Sequence, residues 1–247
     1  MIKKILRILL RYIGHGFTIG TTNESARLAW LQATLAEIPA GSRILDAGAG
    51  ELKQKKFCAH LDYISQDFGQ YEGMGDGKGL QTQKWDNTKL DIISDITSIP
   101  EPDASFDAIM CIEVFEHLPD PVTAIREFSR LLKKNGTLIL TAPFCSLTHF
   151  APYHFSTGFN RYFYEKHLTD NSFNIVEIVQ NGNYFEYIAQ EIRRIPNVAY
   201  RYSGMKLSVC ERIRLKRILN TLSRLSSKDK QSNELLCFGY HIKAIRL

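Results

Sequence analysis

The apolar positions of the chain follow two periods that alternate along the sequence. Short apolar runs are typical of buried strands, and apolar residues at every third or fourth position are typical of one helix face. The runs predict strands at 43–47, 61–67, 90–94, 106–112, 137–141, 173–179 and 235–245. The repeats predict helices at 22–38, 52–60, 121–133, before 173 and at 207–225. Strands that alternate with helices at this spacing form a mostly parallel α/β sheet.

The first predicted strand ends in a short turn that holds Gly48 and Gly50 directly after Asp46. Glycine adopts positive φ at little cost and lets the backbone approach a ligand closely. A helix that starts after such a turn offers free N–H groups. The Asp46 carboxylate suits a cationic ligand group and repels a pyrophosphate. The dinucleotide fingerprint G-x-G-x-x-G also needs a glycine where Lys53 stands, so a dinucleotide oxidoreductase is disfavoured.

Further candidate binding residues stand at the carboxyl ends of the next predicted strands. Asp67 follows the glycine turn by about twenty residues, the spacing at which a carboxylate accepts both ribose hydroxyls of a nucleoside. Asp95 can accept a hydrogen bond from an adenine amino group, while Ile96 offers an apolar face and a backbone N–H. Cys111 lies near the end of the fourth predicted strand. Because ligands of such sheets bind at the carboxyl ends of the strands, these residues predict one shared site.

Several segments in order resemble the class I S-adenosylmethionine-dependent methyltransferases. They are the Asp46-x-Gly48-x-Gly50 turn, Ile93–Pro100, Ser105–Pro121 with its Glu116-His117-Leu118 tripeptide, and Leu131–Leu140. The tripeptide is typical of a small-molecule branch, and the resemblance covers roughly residues 40–180. It implies a Rossmann-like, mostly parallel seven-stranded sheet with helices on both faces and an antiparallel last strand. It also implies S-adenosylmethionine as the cofactor.

The resemblance also assigns roles to individual residues. Asp46, Gly48, Ala49 and Gly50 would hold the methionine end of the cofactor, Asp67 the ribose, Asp95 and Ile96 the adenine, and Cys111 would pass near the methionine portion. The sequence departs from the family at Leu52, where a third glycine is common. We predict no metal, because the candidate residues show no metal-ligand spacing.

The expected acceptor site follows the fifth predicted strand, in the aromatic segment 144–164. Aromatic side chains with a few polar groups are typical of ligand pockets. The segment is similar to one found in methyltransferases of polysaccharide and cell-surface glycan gene clusters. A hydroxyl acceptor gains from a base, and histidine titrates near neutral pH. We therefore predict His149 as the base, His154 as the second candidate and His117 as a weaker one. A structural hydrogen bond is the alternative role for each histidine. Arg161 is predicted to hold an anionic or hydroxylated substrate.

Charge is unevenly distributed along the 247 residues, whose net charge is +5. Residues 193–230 hold eleven Lys and Arg against two Asp and Glu, and residues 1–14 hold four cations and no acid. Both segments are amphipathic, so they predict either peripheral contact with an anionic membrane or helices that pack on the domain, the second as a cap over the site. Five scattered cysteines indicate a reducing compartment, without disulfides or a zinc site. We expect a cytoplasmic protein, with peripheral contact at the inner membrane face.

These observations predict three regions and one leading function. The regions are an N-terminal helical segment at 1–38, a methyltransferase core at 39–180 plus 232–247, and a basic helical insertion at 181–231. The leading function is O-methylation of a sugar, glycan or lipid-linked small molecule. The alternatives are N- or C-methylation of another small molecule, RNA methylation, and cofactor binding without catalysis. Nucleic acid is disfavoured as a partner, because the chain has neither an N/D-P-P-Y/F signature nor a separate nucleic-acid module.

Overall fold

The computed structural model describes residues 18–247. The predicted amphipathic segment 1–14 lies outside the described residues. The chain forms two compact units. Of the described residues, 27–179 and 239–247 form one unit, and 18–26 with 180–238 form the other.

A seven-stranded sheet organises the first unit. Its strands are β1 (Arg43–Ala47), β2 (Asp62–Asp67), β3 (Ile92–Ile93), β4 (Phe106–Ile112), β5 (Leu132–Pro143), β6 (Phe173–Asn181) and β7 (Gly239–Arg246). They lie in the order β3-β2-β1-β4-β5-β7-β6. The pairs β1–β2, β1–β4, β2–β3 and β4–β5 are parallel, whereas β5–β7 is antiparallel. This arrangement confirms the predicted mostly parallel, Rossmann-like sheet with its antiparallel last strand.

Three helices accompany the strands of this unit, namely α1 (Asn23–Ala36), α2 (Pro121–Leu131) and α3 (Arg161–Asp170). The starts of α2 and α3 are capped by short polar side chains: Asp120 accepts from Thr123 N, and Asn160 accepts from Phe163 N. Such caps satisfy N–H groups that have no partner within the helix. Buried apolar residues of α1, β1, β4 and β5 form one part of the core, including Leu31, Ile44, Met110 and Ile139.

Two predicted elements, the helix at 52–60 and the strand at 90–94, are much shorter than expected. Residues 52–60 form turns and a single 3-10 turn at Lys55–Phe57 instead of an α-helix. Their backbone bonds run from residue i to i−3, as in Leu52 N to Ala49 O and Cys58 N to Lys55 O. Leu52 itself has a φ of 59°, the left-handed conformation for which a glycine is common at this position. The predicted strand 90–94 is reduced to the two residues of β3.

Two element boundaries also differ from the predictions. The helix predicted at 121–133 ends at Leu131, and β5 begins at the next residue. The chain leaves the helix in extended conformation because Leu132 pairs with Phe106 of β4, so Asn135 and Gly136 lie within the strand rather than capping a helix. The last strand begins at Gly239 rather than at 235, since its antiparallel register with β5 starts there.

Two long helices form most of the second unit, α4 (Tyr184–Ser203) and α5 (Val209–Ser226). The side chain of Asn183 caps α4, and Ser208 with Glu211 forms a capping box at the start of α5. The sequence pattern predicted only the second of these helices explicitly. Among the residues that the structure describes, no helix combines the length and apolar composition needed to cross a bilayer.

Candidate active site

A pocket of about 540 Å³ opens at the carboxyl ends of the parallel strands in the first unit. Four of the residues that the sequence assigned to the cofactor line it, and they come from three separate strand ends: Gly48, Asp67, and Asp95 with Ile96. Its volume lies within the range of about 300–1,000 Å³ that small-molecule sites occupy. Residues from several strand ends therefore line one pocket, as the sequence predicted.

The glycine turn after β1 is packed tightly against both β2 and the loop after β4. The N–H groups of Gly48 and Ala49 both donate to the carbonyl oxygen of Gln66, at 2.8 and 2.9 Å. Gly48 has a φ of 80°, and a Cβ built on it would lie 2.5 Å from Cγ2 of Val114. Position 48 thus requires glycine for both its conformation and its space.

The carboxylate of Asp67 is held in the pocket by two backbone N–H groups. Its Oδ2 accepts from Gly50 N at 3.0 Å, and its Oδ1 accepts from Gly69 N at 2.9 Å. Burial raises the pKa of its carboxyl, although these backbone donors act to lower it. Each carboxylate oxygen can accept more than one hydrogen bond, so the two oxygens keep capacity for ligand hydroxyls.

Asp46 lies behind the pocket rather than on its wall. Its side chain is 1% exposed, and its Oδ2 accepts from the Tyr63 hydroxyl at 2.6 Å. Burial raises the pKa of Asp46 to about 7; the bond from Tyr63 opposes this shift and the nearby Asp67 adds to it. Ala49, Gly50 and Cys111 are likewise not among the lining residues. Cys111 is fully buried within β4, where burial raises the pKa of its thiol well above the ordinary value.

The third predicted strand delivers Asp95 and Ile96 to the pocket wall. Asp95 Oδ1 accepts from both the N–H and the hydroxyl of Thr97, at 2.8 and 2.7 Å, which fixes the turn after β3. Ile96 is buried and contributes an apolar surface beside it. Two other lining residues carry buried polar atoms that have no hydrogen-bond partner within the described chain, Oε1 of Gln66 and Nε1 of Trp85. A ligand in the pocket can satisfy such groups.

Three histidines cluster beside the pocket, but only His117 is among its lining residues, so the predicted base candidates His149 and His154 do not line it. The rings of His117 and His149 are 4.6 Å apart, and those of His149 and His154 are 4.9 Å apart. Oε1 of Glu116 lies 3.7 Å from Nε2 of His117 and 3.6 Å from Nε2 of His149. The structure therefore brings the two predicted base candidates together with His117.

The histidines differ in their electrostatic surroundings. Burial lowers the pKa of His117 to about 3, so its imidazole is neutral. Burial also acts to lower the pKa of His149, but the Glu116 carboxylate and the Leu147 carbonyl together raise it. Burial, and then the proximity of His149, lower the pKa of His154, whose Nε2 lies 3.2 Å from the Ser146 hydroxyl.

Arg161 is not among the residues that line the pocket. It begins α3 and binds Glu165 one helical turn further on, with Nη2 at 2.7 Å from Oε1. Its predicted contact with a substrate stays a prediction.

The glycine-rich loop 69–89 contributes pocket residues that sequence reasoning missed, Tyr71 and Trp85. The loop pairs with the histidine segment: Leu80 N donates to Thr148 O and Phe150 N donates to Leu80 O, both at 3.0 Å. The ring of Tyr71 stacks on Phe150, which in turn stacks on His117. The signal that could have found this wall is the density of glycines, because they allow close approach of backbones.

Comparison with known proteins identifies the domain. Residues 45–140 match the family described as a methyltransferase domain. A ubiquinone biosynthesis O-methyltransferase of Xanthomonas oryzae pv. oryzae is 32% identical over 105 residues, which cover 41% of this chain and 43% of that protein. The match thus spans less than half the length of this curated relative.

Two solved structures share the fold at low sequence identity. Phosphoethanolamine N-methyltransferase 2 of Haemonchus contortus, in complex with S-adenosyl-L-methionine, aligns with a TM-score of 0.52 and 16% identity, covering 90% of this chain and 52% of that chain. The [4+2]-cyclase SpnF aligns with a TM-score of 0.51 and 16% identity, covering 88% and 80%. Because one is a methyltransferase and the other a cyclase by name, the fold does not by itself fix the reaction. Residues 45–140 thus match the methyltransferase-domain family, and the sheet that carries them has the Rossmann-like fold of S-adenosylmethionine-dependent methyltransferases.

Proposed function

We propose that the chain binds S-adenosylmethionine in this pocket and transfers its methyl group to a hydroxyl of a small molecule. The observation that carries the proposal is the convergence of Gly48, Asp67, Asp95 and Ile96 on one pocket. A site for a nucleoside that carries a cationic group needs a carboxylate for the ribose and a surface with polar and apolar parts for the base. It also needs a glycine turn whose backbone can approach the ligand closely. The pocket offers each of these.

The residues present fit the cofactor. Asp67 is held by two backbone donors with its carboxylate at the pocket, which orients it for the ribose hydroxyls before the cofactor arrives. The unpaired Oε1 of Gln66 adds an acceptor on the same wall. When bound, S-adenosylmethionine supplies a methyl group on a positively charged sulfur, which is an activated leaving group.

The protein's own contribution to the reaction is alignment and removal of one proton. Alignment of two reactants accounts for much of the rate enhancement in a displacement of this kind. We propose that His149, with His154 as the alternative, takes the proton of the acceptor hydroxyl as the oxygen attacks the methyl carbon. Aromatic side chains enclose this end of the pocket, including Phe150, Tyr153 and Phe155, and would exclude water from the reacting atoms.

The class of acceptor is a further part of the proposal. The aromatic wall suits a ring-shaped or lipid-linked acceptor, and the matching relative is named for O-methylation in ubiquinone biosynthesis. A sugar or glycan intermediate is the acceptor that we propose on the similarity of segment 144–164, with N- or C-methylation as the alternative. Arg161 would contact an anionic or hydroxylated part of that acceptor.

We also propose that the second unit contacts an anionic membrane surface. Its helices and the connection between them expose several large apolar residues close to cations, among them Tyr202 (66% exposed), Met205 (67%) and Val209 (74%). No side chain of α5 is fully buried. Exposed apolar side chains beside Lys and Arg are typical of helices that lie in a membrane interface.

Calorimetric titration with S-adenosylhomocysteine tests the cofactor proposal, with NADH as the control ligand. We expect saturable binding of the first ligand alone. Asp67→Ala should weaken it by at least about tenfold, because two charge-assisted contacts to the ribose are lost. Glu165→Ala, which removes an exposed carboxylate outside the pocket, should leave the affinity unchanged. Binding of NADH, or an unchanged affinity in Asp67→Ala, would refute the assignment.

A further inference from the structure

We propose that Glu116, His117 and His149 bind a divalent transition-metal cation at the acceptor end of the pocket. One atom of each residue can serve as a ligand, and the three atoms lie within 4.8 Å of one another. Two imidazoles with one carboxylate form a donor set that suits zinc and related cations and leaves coordination positions open.

The separations of the ligand atoms are close to those that a cation requires. Two ligand atoms that each lie about 2.1 Å from a tetrahedrally coordinated metal ion are about 3.4 Å apart. Oε1 of Glu116 is 3.6 Å from Nε2 of His149 and 3.7 Å from Nε2 of His117. These contacts are too long for hydrogen bonds, so small side-chain rotations suffice to close them on a cation.

The second nitrogen of each imidazole is held as in known metal sites. Nδ1 of His117 lies 2.6 Å from the Tyr153 carbonyl oxygen, and Nδ1 of His149 lies 2.8 Å from that of Leu147. A carbonyl oxygen only accepts, so Nδ1 carries the proton in both rings. In a neutral imidazole this leaves the Nε2 lone pair available and pointed at the cluster, the arrangement that orients histidine ligands of metals.

Buried polar atoms without partners give the second, independent observation. Oε2 of Glu116 and Nε2 of His117 are buried, and neither has a hydrogen-bond partner within the described residues. Glu116 is only 1% exposed, so leaving its carboxylate oxygen unpaired is costly. A cation would satisfy both atoms together.

The neighbouring Glu113 is not part of the proposed ligand set. Its Oε2 pairs with Nη1 of Arg27 at 3.1 Å, and its Oε1 accepts from the Thr141 hydroxyl at 3.0 Å. Both oxygens are therefore engaged elsewhere, whereas Oε2 of Glu116 has no hydrogen-bond partner within the described residues.

The role of the cation rests on the proposed function. His117 lines the pocket, so a cation on its Nε2 would face the bound acceptor and could hold the acceptor oxygen beside the methyl group. His149 would then serve as a ligand, and His154 would be the imidazole left to contact the acceptor. The sequence suggested no metal because His149 lies on a different loop, far along the chain from Glu116 and His117.

Titration of chelator-treated protein with Co²⁺ tests the site directly, since the visible absorption of the ion changes when it binds to nitrogen ligands. We expect one equivalent to bind, and Zn²⁺ to displace it. Glu116→Gln and His149→Ala should each weaken binding by more than about 100-fold, since removal even of outer-shell partners costs 10–100-fold. His154→Ala removes an imidazole beside the site that is not in the ligand set, and should bind Co²⁺ like the original chain.

Circular dichroism and titration with S-adenosylhomocysteine on the same samples separate the two proposals. His149 is partly exposed, so His149→Ala should fold even if Glu116→Gln does not. Failure to bind Co²⁺ in stoichiometric amount, or equal binding by His149→Ala, overturns the metal site. Cofactor binding without metal binding would reject the metal site alone, and metal binding without cofactor binding would reject the proposed function alone.

Discussion

Asp46 and Asp67 stand at the ends of neighbouring parallel strands, but their surroundings differ. Asp67 reaches the pocket and is held by the N–H groups of Gly50 and Gly69. Asp46 is turned inward to Tyr63. The sequence predicted ligand contact for both, because a strand-end carboxylate looks the same in either place. Which one faces the pocket depends on the path of the glycine turn, and that path is determined by contacts with Gln66 and Val114 that are distant in sequence.

The burial of Asp46 predicts a pH-dependent stability. The pKa of Asp46 is about 7 in the folded protein, against the ordinary value of 3.8 that we expect in the unfolded chain. Between these two pH values the folded state therefore binds more protons than the unfolded state. The free energy of unfolding should therefore fall as pH rises from about 4 to 7. Asp46→Asn keeps an acceptor for Tyr63 without the titration, so its stability relative to the original chain should increase over this range, by at most about 4 kcal/mol.

Urea unfolding at several pH values measures this difference. Asp62→Asn, at the exposed start of β2, is the matched control and should follow the original chain. A constant difference between Asp46→Asn and the original chain from pH 4 to 8 would contradict the prediction.

At the scale of elements, local patterns predicted strands more accurately than loops. β1 and β4 have the predicted bounds, because their apolar runs are buried on both faces. Loop 69–89 carries no such pattern, and its conformation depends on backbone pairing with a segment about seventy residues away. The glycines of the loop permit this close approach but do not specify the partner segment, so the pairing that completes the pocket wall could not be derived from the sequence.

The glycines of this loop allow a controlled test of the pairing. A Cβ on Gly79 would lie 2.5 Å from the Thr148 carbonyl oxygen, whereas a Cβ on Gly77 meets nothing within 4 Å. Both residues have positive φ, at 62° and 76°. Gly77→Ala should cost about 1–2 kcal/mol of stability through its backbone conformation alone. Gly79→Ala should cost more and should also displace the His149 segment.

Hydrogen exchange of the Leu80 and Phe150 amides measures the displacement, because these two N–H groups form the pairing bonds. Exchange should become faster in Gly79→Ala and remain slow in Gly77→Ala. Similar protection in the two variants would mean that the loop tolerates the added methyl group and that the pairing does not depend on Gly79.

At the scale of the whole molecule, the basic segment 193–230 and the parallel sheet belong to different units of the fold. The parallel sheet carries the cofactor residues, and the cations of 193–230 fall on the two helices and connections of the other unit. The sequence predicted this division by charge, and its boundaries at 38/39, 180/181 and 231/232 stay a prediction. It did not predict α4, because Pro196 stands within this helix and proline is typical of helix ends.

The second unit, which holds the basic segment 193–230, should bind vesicles that contain anionic lipid, and this binding should weaken at high salt. Arg214→Glu with Arg217→Glu should abolish cosedimentation, because both residues are exposed on α5. Tyr202→Ser with Met205→Ser should weaken it through loss of apolar burial. Lys84→Glu with Lys134→Glu changes the net charge equally in the other unit and is the control. Equal loss in this control would indicate a general charge effect and no specific surface.

The pairing of Leu80 with the His149 segment has a consequence for how this protein can diversify. The residues proposed for the cofactor stand at strand ends, whereas Tyr71, Trp85 and Phe150 stand on two loops that are joined to each other through backbone atoms. Side chains on these loops can therefore be exchanged while the bonds that align them persist. On the proposed function, a change of acceptor would need no change in the strands, so the constant and the adaptable parts of the site would be encoded in different stretches of the gene.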